Sequence, residues 1–192
     1  MSEDLLKQMK FIEEIEKLKI IYRQNSVINQ SRQENSAEHS WHVAFMAVVL
    51  KEYAGKDVNL LRVIKMLLLH DVVEIDAGDT WLYDSQASVG QIDRETKAAN
   101  RLFGLLPEEQ KGEYLDLWTE FTARETPDAA FAAAIDSIQP LINHHLTGST
   151  RNVMIKASQI AEKKRHINNA SPLLWEYAQK IIRESAEKGQ YS

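Results

Sequence analysis

The stretch Lys65-Met66-Leu67-Leu68-Leu69-His70-Asp71-Val72-Val73-Glu74 decides how the rest of the chain is read. Its apolar residues surround the helix axis, which predicts a helix that is mostly buried. That helix nevertheless carries an imidazole and a carboxylate side by side, with a second carboxylate one turn on. Burying ionised groups is costly unless they are paired or bound to a metal. On a continuous helix Glu74 lies four residues from His70 and three from Asp71, so all three can converge on one site. The alternative at this point is a histidine satisfied by a backbone carbonyl, with both acids in ordinary ion pairs.

Working outward, the pattern remains helical. Only seven glycines and four prolines punctuate 192 residues, and apolar residues recur with a period near 3.6. The first amphipathic segment is predicted over 5–22, with Leu5, Met9, Ile12, Ile15 and Ile20 on its apolar stripe. A polar loop, Gln24 to Asn35, follows. Ser36 is positioned to cap a helix over 37–54, which Gly55 ends, and Asp57 opens the next over 58–75. Residues 76–90 lack periodicity and predict a long loop over one face. Pro107, Pro127 and Pro172 each mark the first position of a helix. Further helices are therefore predicted over 91–104, 107–123, 127–145, 152–168 and 172–188. Pro140 lies inside a helical pattern, four residues after Asp136, and predicts a bend there. These elements make an all-α bundle of about seven or eight helices. They fit a single domain over 1–192, with a core of about 18–146 and C-terminal helices over 151–188 packed on it.

Composition narrows the class. Apolar residues make up 44% and charged residues 27%, with no run of the roughly 20 apolar residues that a membrane helix needs. The opening residues are acidic and then amphipathic, unlike a signal peptide. The absence of cysteine removes disulfides, thiolate zinc sites and cysteine nucleophiles, and fits a reducing cytoplasm. A net charge of −5 with dispersed lysines and arginines argues against nucleic-acid polymers as partners. A small phosphorylated substrate remains compatible, because a pocket needs only one or two cations.

Two other segments carry chemistry. In Arg32-Gln33-Glu34-Asn35-Ser36-Ala37-Glu38-His39-Ser40-Trp41-His42, His39 falls in the first turn of a helix. In Ala133-Ala134-Ile135-Asp136-Ser137-Ile138-Gln139-Pro140, Asp136 sits in another apolar helix. Histidine, then His-Asp on a second helix, then aspartate on a later one resembles the HD superfamily of all-helical metal phosphohydrolases. The runs 34–40 and 70–79, with Leu117-Trp118-Thr119-Glu120-Phe121, resemble the branch that contains bacterial HD-domain hydrolases related to 5'-deoxynucleotidases. The likeness covers about 18–146.

The resemblance implies metal ligands at His39, His70, Asp71 and Asp136. Two imidazoles and two carboxylates suit Mn²⁺, Co²⁺, Fe²⁺, Ni²⁺ or Zn²⁺, with Mg²⁺ also in range, better than Ca²⁺. It further implies that Asp71, Glu74 and Asp79 serve catalysis, and that Glu74 and Asp79 position substrate or hold a second cation. Arg23, in Leu18-Lys19-Ile20-Ile21-Tyr22-Arg23, matches the branch's Leu-Lys-x-x-x-Arg and becomes the phosphate-binding candidate. Each assignment has a plainer competitor: a turn cap for Asp79, a structural ion pair for Glu74, and free helix-end carbonyls for Arg23. Arg32 and Glu38 are read as holding the second helix. His42 is read as packing, His144, His145 and His166 as structural or exposed, and Trp41, Trp118 and Trp175 as packing, while Trp81, in the loop after Asp79, is the exception that could stack on a base. The run Thr80-Trp81-Leu82-Tyr83-Asp84-Ser85 departs from the branch's proline- and lysine-bearing pattern, which puts the leaving-group preference in doubt.

The expected activity is a metal-dependent phosphomonoesterase acting on a nucleoside 5'-monophosphate or similar small phosphate. A phosphodiesterase or nucleotide pyrophosphohydrolase is the first alternative, and a helical binding module with a structural metal the second. An apolar C-terminal stripe, Leu173, Leu174, Tyr177 and Ile181, serves either a homodimer or burial within one chain.

Overall fold

The computed structural model describes residues 1–81, 83, 86, 89–149 and 154–192. Those residues form an all-α bundle with one small two-stranded ribbon.

Helix α1 (Glu3–Ile15) is capped by Ser2, whose hydroxyl accepts from the Leu5 amide at 3.2 Å. The predicted helix over 5–22 stops early. A 3₁₀ turn, Glu16–Ile20, follows, and Tyr22–Ser26 forms strand β1. The predicted apolar stripe also needs correction. Leu5, Met9, Ile12 and Ile20 are exposed, and the buried residues of this segment are Phe11 and Leu18. Phe11 packs against the rings of Phe103 and Tyr114, with centroids 6.3 and 6.0 Å away.

Strand β1 pairs antiparallel with β2 (Gln33–Asn35), so the expected 24–35 loop is a hairpin. Its strands are polar on both faces, and sequence periodicity gave no sign of them. Asn35 then caps α2 (Ser36–Val49). Its side chain accepts from the Glu38 amide at 2.9 Å, while the Glu38 carboxylate accepts from the Asn35 amide at 3.1 Å. The expected cap, Ser36, is instead fully buried inside the helix. Trp41 is 66% exposed and contacts Phe45, so it does not pack into the core as expected.

Helix α3 (Leu60–Leu69) is capped by Asn59 rather than opened by Asp57. The α-helical ladder then ends. His70–Val73 forms a 3₁₀ turn and Glu74–Ala77 a single turn, α4. The continuous helix expected over 58–75 is therefore broken at the His-Asp pair, a common mark of a functional segment.

Helices α5 (Gln91–Phe103) and α6 (Glu108–Ala123) follow, with Pro107 flanking α6 rather than occupying its first position. Helix α7 (Pro127–Thr147) begins with proline behind the Thr126 cap, as predicted, and continues through Pro140 without a break. It is the central element: Phe131 through Ile135 are fully buried, and α2, α3, α6, α9 and α10 pack around it. The segment expected as one helix over 152–168 consists of α8 (Ala157–Lys164) and α9 (Ile167–Ala170), while Asn152 and Val153 lie outside the described residues. Helix α10 (Pro172–Glu187) starts behind the Ser171 cap. Of the C-terminal stripe, Leu174 and Ile181 are buried within this chain, and Leu173 and Tyr177 are exposed. Among the described residues no helix is long and apolar enough to cross a membrane.

Candidate metal centre

The four residues of the 3₁₀ turn, His70 through Val73, and Glu74 at the start of α4 are all buried. His70 Nδ1–H donates to the Leu67 carbonyl at 2.8 Å, because a carbonyl oxygen can only accept. Nε2 is thereby aimed the other way. It meets Asp71 Oδ1 at 3.0 Å and Asp136 Oδ1 at 3.6 Å, without the geometry of a hydrogen bond.

His39 is arranged in the same manner by different means. The Gln139 side-chain amide donates from Nε2 to Glu34 Oε1 at 2.8 Å, which turns Gln139 Oε1 toward His39 Nδ1 at 3.1 Å. Gln139 Oε1 accepts from Nδ1–H, so His39 Nε2 carries the lone pair. That atom lies 2.9 Å from Asp136 Oδ1 and 3.9 Å from Asp71 Oδ2. The ligating atoms of His39, His70 and Asp136 all fall within 4.8 Å of one another, and Asp71 borders the same space.

This donor set fits a divalent cation. Two imidazole Nε2 atoms and the Asp136 carboxylate converge, Asp71 borders them, and both outer imidazole nitrogens are fixed by acceptors of the kind that orient metal-bound histidine. With only side chains to balance one another, Asp136 is held well below the usual carboxylate range, His39 and His70 outweighing burial. Asp71 is held down at about 2 by His70 and Arg23, again against burial. His70 is held up at about 10: burial lowers it, but Asp71 and Asp136 prevail.

A ring of carboxyl groups surrounds this cluster. Glu74 Oε2 accepts from the buried Ser36 hydroxyl at 2.6 Å, and the Asp79 carboxyl acts on it as a neighbouring negative charge. Burial, then Asp71, pushes Glu74 well above its ordinary value, and burial also raises Asp79. The Glu74 carboxylate approaches through the 3₁₀ turn rather than through the helical spacing read from the sequence. Gly78, at φ +76°, ends α4 and turns the chain so that Asp79 folds back to within 3.9 Å of Arg23 Nη1.

Arg23 lies on β1, not at a helix end, and its side chain is almost buried. It donates from Nη1 to Asp71 Oδ2 at 2.7 Å, and its Nε stands 3.9 Å from Glu34 Oε2. Burial raises the Glu34 carboxyl to about 7, despite Arg23 and Gln139. Arg32 forms a bidentate pair with Glu38 and so steadies the start of α2, as expected.

The cluster opens into a cleft of about 500 Å³. Arg23, Asp79 and Asp136 line it, together with Trp81 and Tyr83 and with Lys164 of α8. Trp81 thus reaches the cleft, while Leu82, Asp84 and Ser85 of its loop lie outside the described residues. His42 meets Gln139 at 3.4 Å rather than the cluster, and His144 stacks on Tyr191. His145 meets Ser185, and Trp118 is buried.

Residues 15–175 match the HD-domain family. The chain belongs to the HD-domain family. The crystal structure of a predicted metal-dependent phosphohydrolase from Magnetospirillum magnetotacticum MS-1 superposes on this HD-domain chain with a TM-score of 0.93 and 44% identity, over 100% of both chains. The 5'-deoxynucleotidase HDDC2 of Danio rerio is 26% identical over 138 residues, 71% of this chain and 68% of that protein. The Homo sapiens protein of the same name is 27% identical over 135 residues, 70% of this chain and 65% of that protein. The chain thus spans about two thirds of the length of these curated relatives.

Sequence reasoning anticipated the residues that converge here but missed those that orient them. Gln139 lies three residues after Asp136, on the same face of α7, which was an available signal. Nothing in the sequence marked Ser36 as the partner of Glu74, and Lys164 lies beyond the stretch covered by the family resemblance.

Proposed function

We propose that the bond cleaved by this HD-domain, metal-dependent phosphohydrolase is a phosphomonoester, carried by a nucleoside 5'-monophosphate or a similar small phosphate. The observation that carries this proposal is the cleft: about 500 Å³ of space is lined by Asp136, whose carboxylate converges with His39 and His70, and by Arg23 and Asp79 beside it. That size suits one small ligand. The 5'-deoxynucleotidase relatives support the same substrate class.

His39, His70, Asp71 and Asp136 would hold a divalent cation such as Mn²⁺ or Co²⁺. Such a cation supplies Lewis acidity toward the phosphoryl oxygens and makes water more acidic. The chain's own residues do the rest. Gln139 and the Leu67 carbonyl keep both imidazoles in the tautomer that leaves Nε2 free. Arg23 fixes the orientation of the Asp71 carboxylate. Burial, then the neighbouring Asp71, pushes the Glu74 carboxyl well above its ordinary value and so favours its protonated form. That proton is suitably placed for transfer to the departing alcohol oxygen. Trp81 and Tyr83 line the wall where the organic part of the ester would lie.

The test compares Mn²⁺- and Co²⁺-loaded protein on nucleoside 5'-monophosphates, a phosphodiester and a nucleoside triphosphate. Monoester hydrolysis should dominate and should vanish in Asp71→Ala. Preferential cleavage of the diester or triphosphate would contradict the substrate class. Turnover that survives Asp71→Ala, or no turnover with any metal, would contradict the enzymatic role.

A further inference from the structure

We propose that Lys164, at the end of α8, binds the phosphate of the substrate; this rests on the phosphohydrolase function proposed above. The inference starts from the distribution of charge around the cleft. Asp79 and Asp136 line it, with Asp71 and Glu34 beside the Arg23 that lines it too, and a phosphate dianion entering there needs a cation that these acids have not already neutralised. Arg23 does not meet that need. Its guanidinium donates to Asp71 at 2.7 Å and lies 3.9 Å from both Asp79 and Glu34.

Lys164 is in the opposite condition. It lines the same cleft as Arg23 and Asp136, and among the described residues it makes no hydrogen bond and no ion pair. The charge that acts on it most strongly is Asp136, and the other charges that act on it, Arg124, Arg23 and Lys163, are cations. Burial pushes its ammonium down to about 8, with Arg124, Arg23 and Lys163 acting in the same direction and Asp136 against them. Arg124 and Lys163 line the cleft as well. The result is a partly buried positive charge with no hydrogen-bonded counter-ion among the described residues, on the cleft that Asp136 also lines.

The position of Lys164 is set by the fold. Ile160 anchors α8 in the core, and His166, two residues after Lys164, places Nε2 3.0 Å from the hydroxyl of Ser137. Ser137 directly follows Asp136, so the end of α8 is tied to the helix that carries one of the proposed metal ligands. A lysine in the last turn of a helix also complements the helix dipole, but that role is met at the surface by any lysine and does not bring one into a cleft. Lys163, the neighbour that lies over the Tyr83 ring at 5.2 Å, provides such a charge.

Protection from an amine-reactive acylating reagent tests the assignment without relying on turnover. Mn²⁺-loaded protein is acylated at pH 8 with and without inorganic phosphate, and each lysine is quantified by mass spectrometry. Calorimetry measures phosphate binding in parallel. Saturating phosphate should reduce Lys164 acylation at least fivefold and leave Lys7 and Lys51 unchanged. Bound phosphate with unchanged Lys164 acylation would overturn this assignment and leave the metal-centre function standing. No phosphate binding to the wild-type protein would overturn both. In steady-state assays Lys164→Met should raise KM about tenfold with kcat within threefold, and Lys164→Arg should recover most of that loss. Equal damage by both substitutions to kcat and KM would mark a structural role and overturn the proposal.

Discussion

His39 Nδ1 stands 3.1 Å from the side-chain oxygen of Gln139, and this contact determines which imidazole nitrogen faces Asp136. Gln139 is itself oriented by its bond to Glu34, so a chain of three side chains fixes one tautomer. Gln139→Leu removes the acceptor while keeping an apolar side chain of similar size. The metal dissociation constant should rise roughly 10- to 100-fold, the usual effect of removing an outer-shell partner. Calorimetric titration of the metal-free protein checks this, and saturating metal should restore most of the activity. An unchanged dissociation constant would show that His39 does not depend on Gln139.

Metal removal should destabilise the protein. Without a cation, the buried lone pairs of His39 and His70 and the carboxylates of Asp71 and Asp136 can be balanced only by protons and by Arg23. A cation present at about 100 times its dissociation constant contributes about 2.7 kcal/mol. At a few degrees per kcal/mol for a chain of this size, chelation should lower Tm by roughly 5–10 °C. Asp136→Ala should abolish the metal-dependent shift. Thermal melts with and without chelator measure both.

Glu74 is held by Ser36 at 2.6 Å and is kept protonated chiefly by burial. Glu74→Gln preserves the shape and removes the transferable proton. It should reduce kcat about 100-fold or more, the lower range for lost general acid catalysis. Metal affinity should change less than threefold, because Glu74 stands outside the convergent ligand set. A loss of metal binding equal to that of Asp136→Ala would instead make Glu74 a ligand.

Lys164 gives a pH dependence of definite sign. Its ammonium loses its proton near pH 8, below the ordinary lysine range, because of burial and the cations Arg124, Arg23 and Lys163; Asp136 opposes them, and His166 lines the same cleft. The charged form binds phosphate, so kcat/KM should be highest below pH 8 and fall as pH rises through it. The free enzyme governs this parameter. Lys164→Arg keeps its charge in this range and should remove the alkaline fall. A fall unchanged in Lys164→Arg would assign it to another group.

Much of the fold was legible because α3 and α7 carry strong apolar patterns, and Thr126-Pro127 and Ser171-Pro172 are unambiguous starts. The His70-Asp71 pair stood out for the same reason: charged residues in an apolar helix require an explanation. The less legible parts depended on contacts between distant segments. The α3 ladder gives way to a 3₁₀ turn at His70, where buried residues meet α2 and α5. The β1–β2 hairpin is polar on both faces, and the exposed Leu5, Met9 and Ile12 mimic a core stripe. Gln139 and Ser36 look ordinary until partners 105 and 38 residues away are beside them. Lys164 reads as a solvent-facing helix-end lysine until α8 is seen against the cleft.

The most direct test is an anomalous difference map from crystals grown with Mn²⁺ or Co²⁺. A single strong peak should lie within bonding distance of His39 Nε2, His70 Nε2, Asp71 and Asp136, beside the cleft lined by Arg23 and Lys164. A peak held by Glu74 and Asp79 alone, or no peak between the two imidazoles at saturating metal, would contradict the metal centre on which the proposed hydrolase function stands.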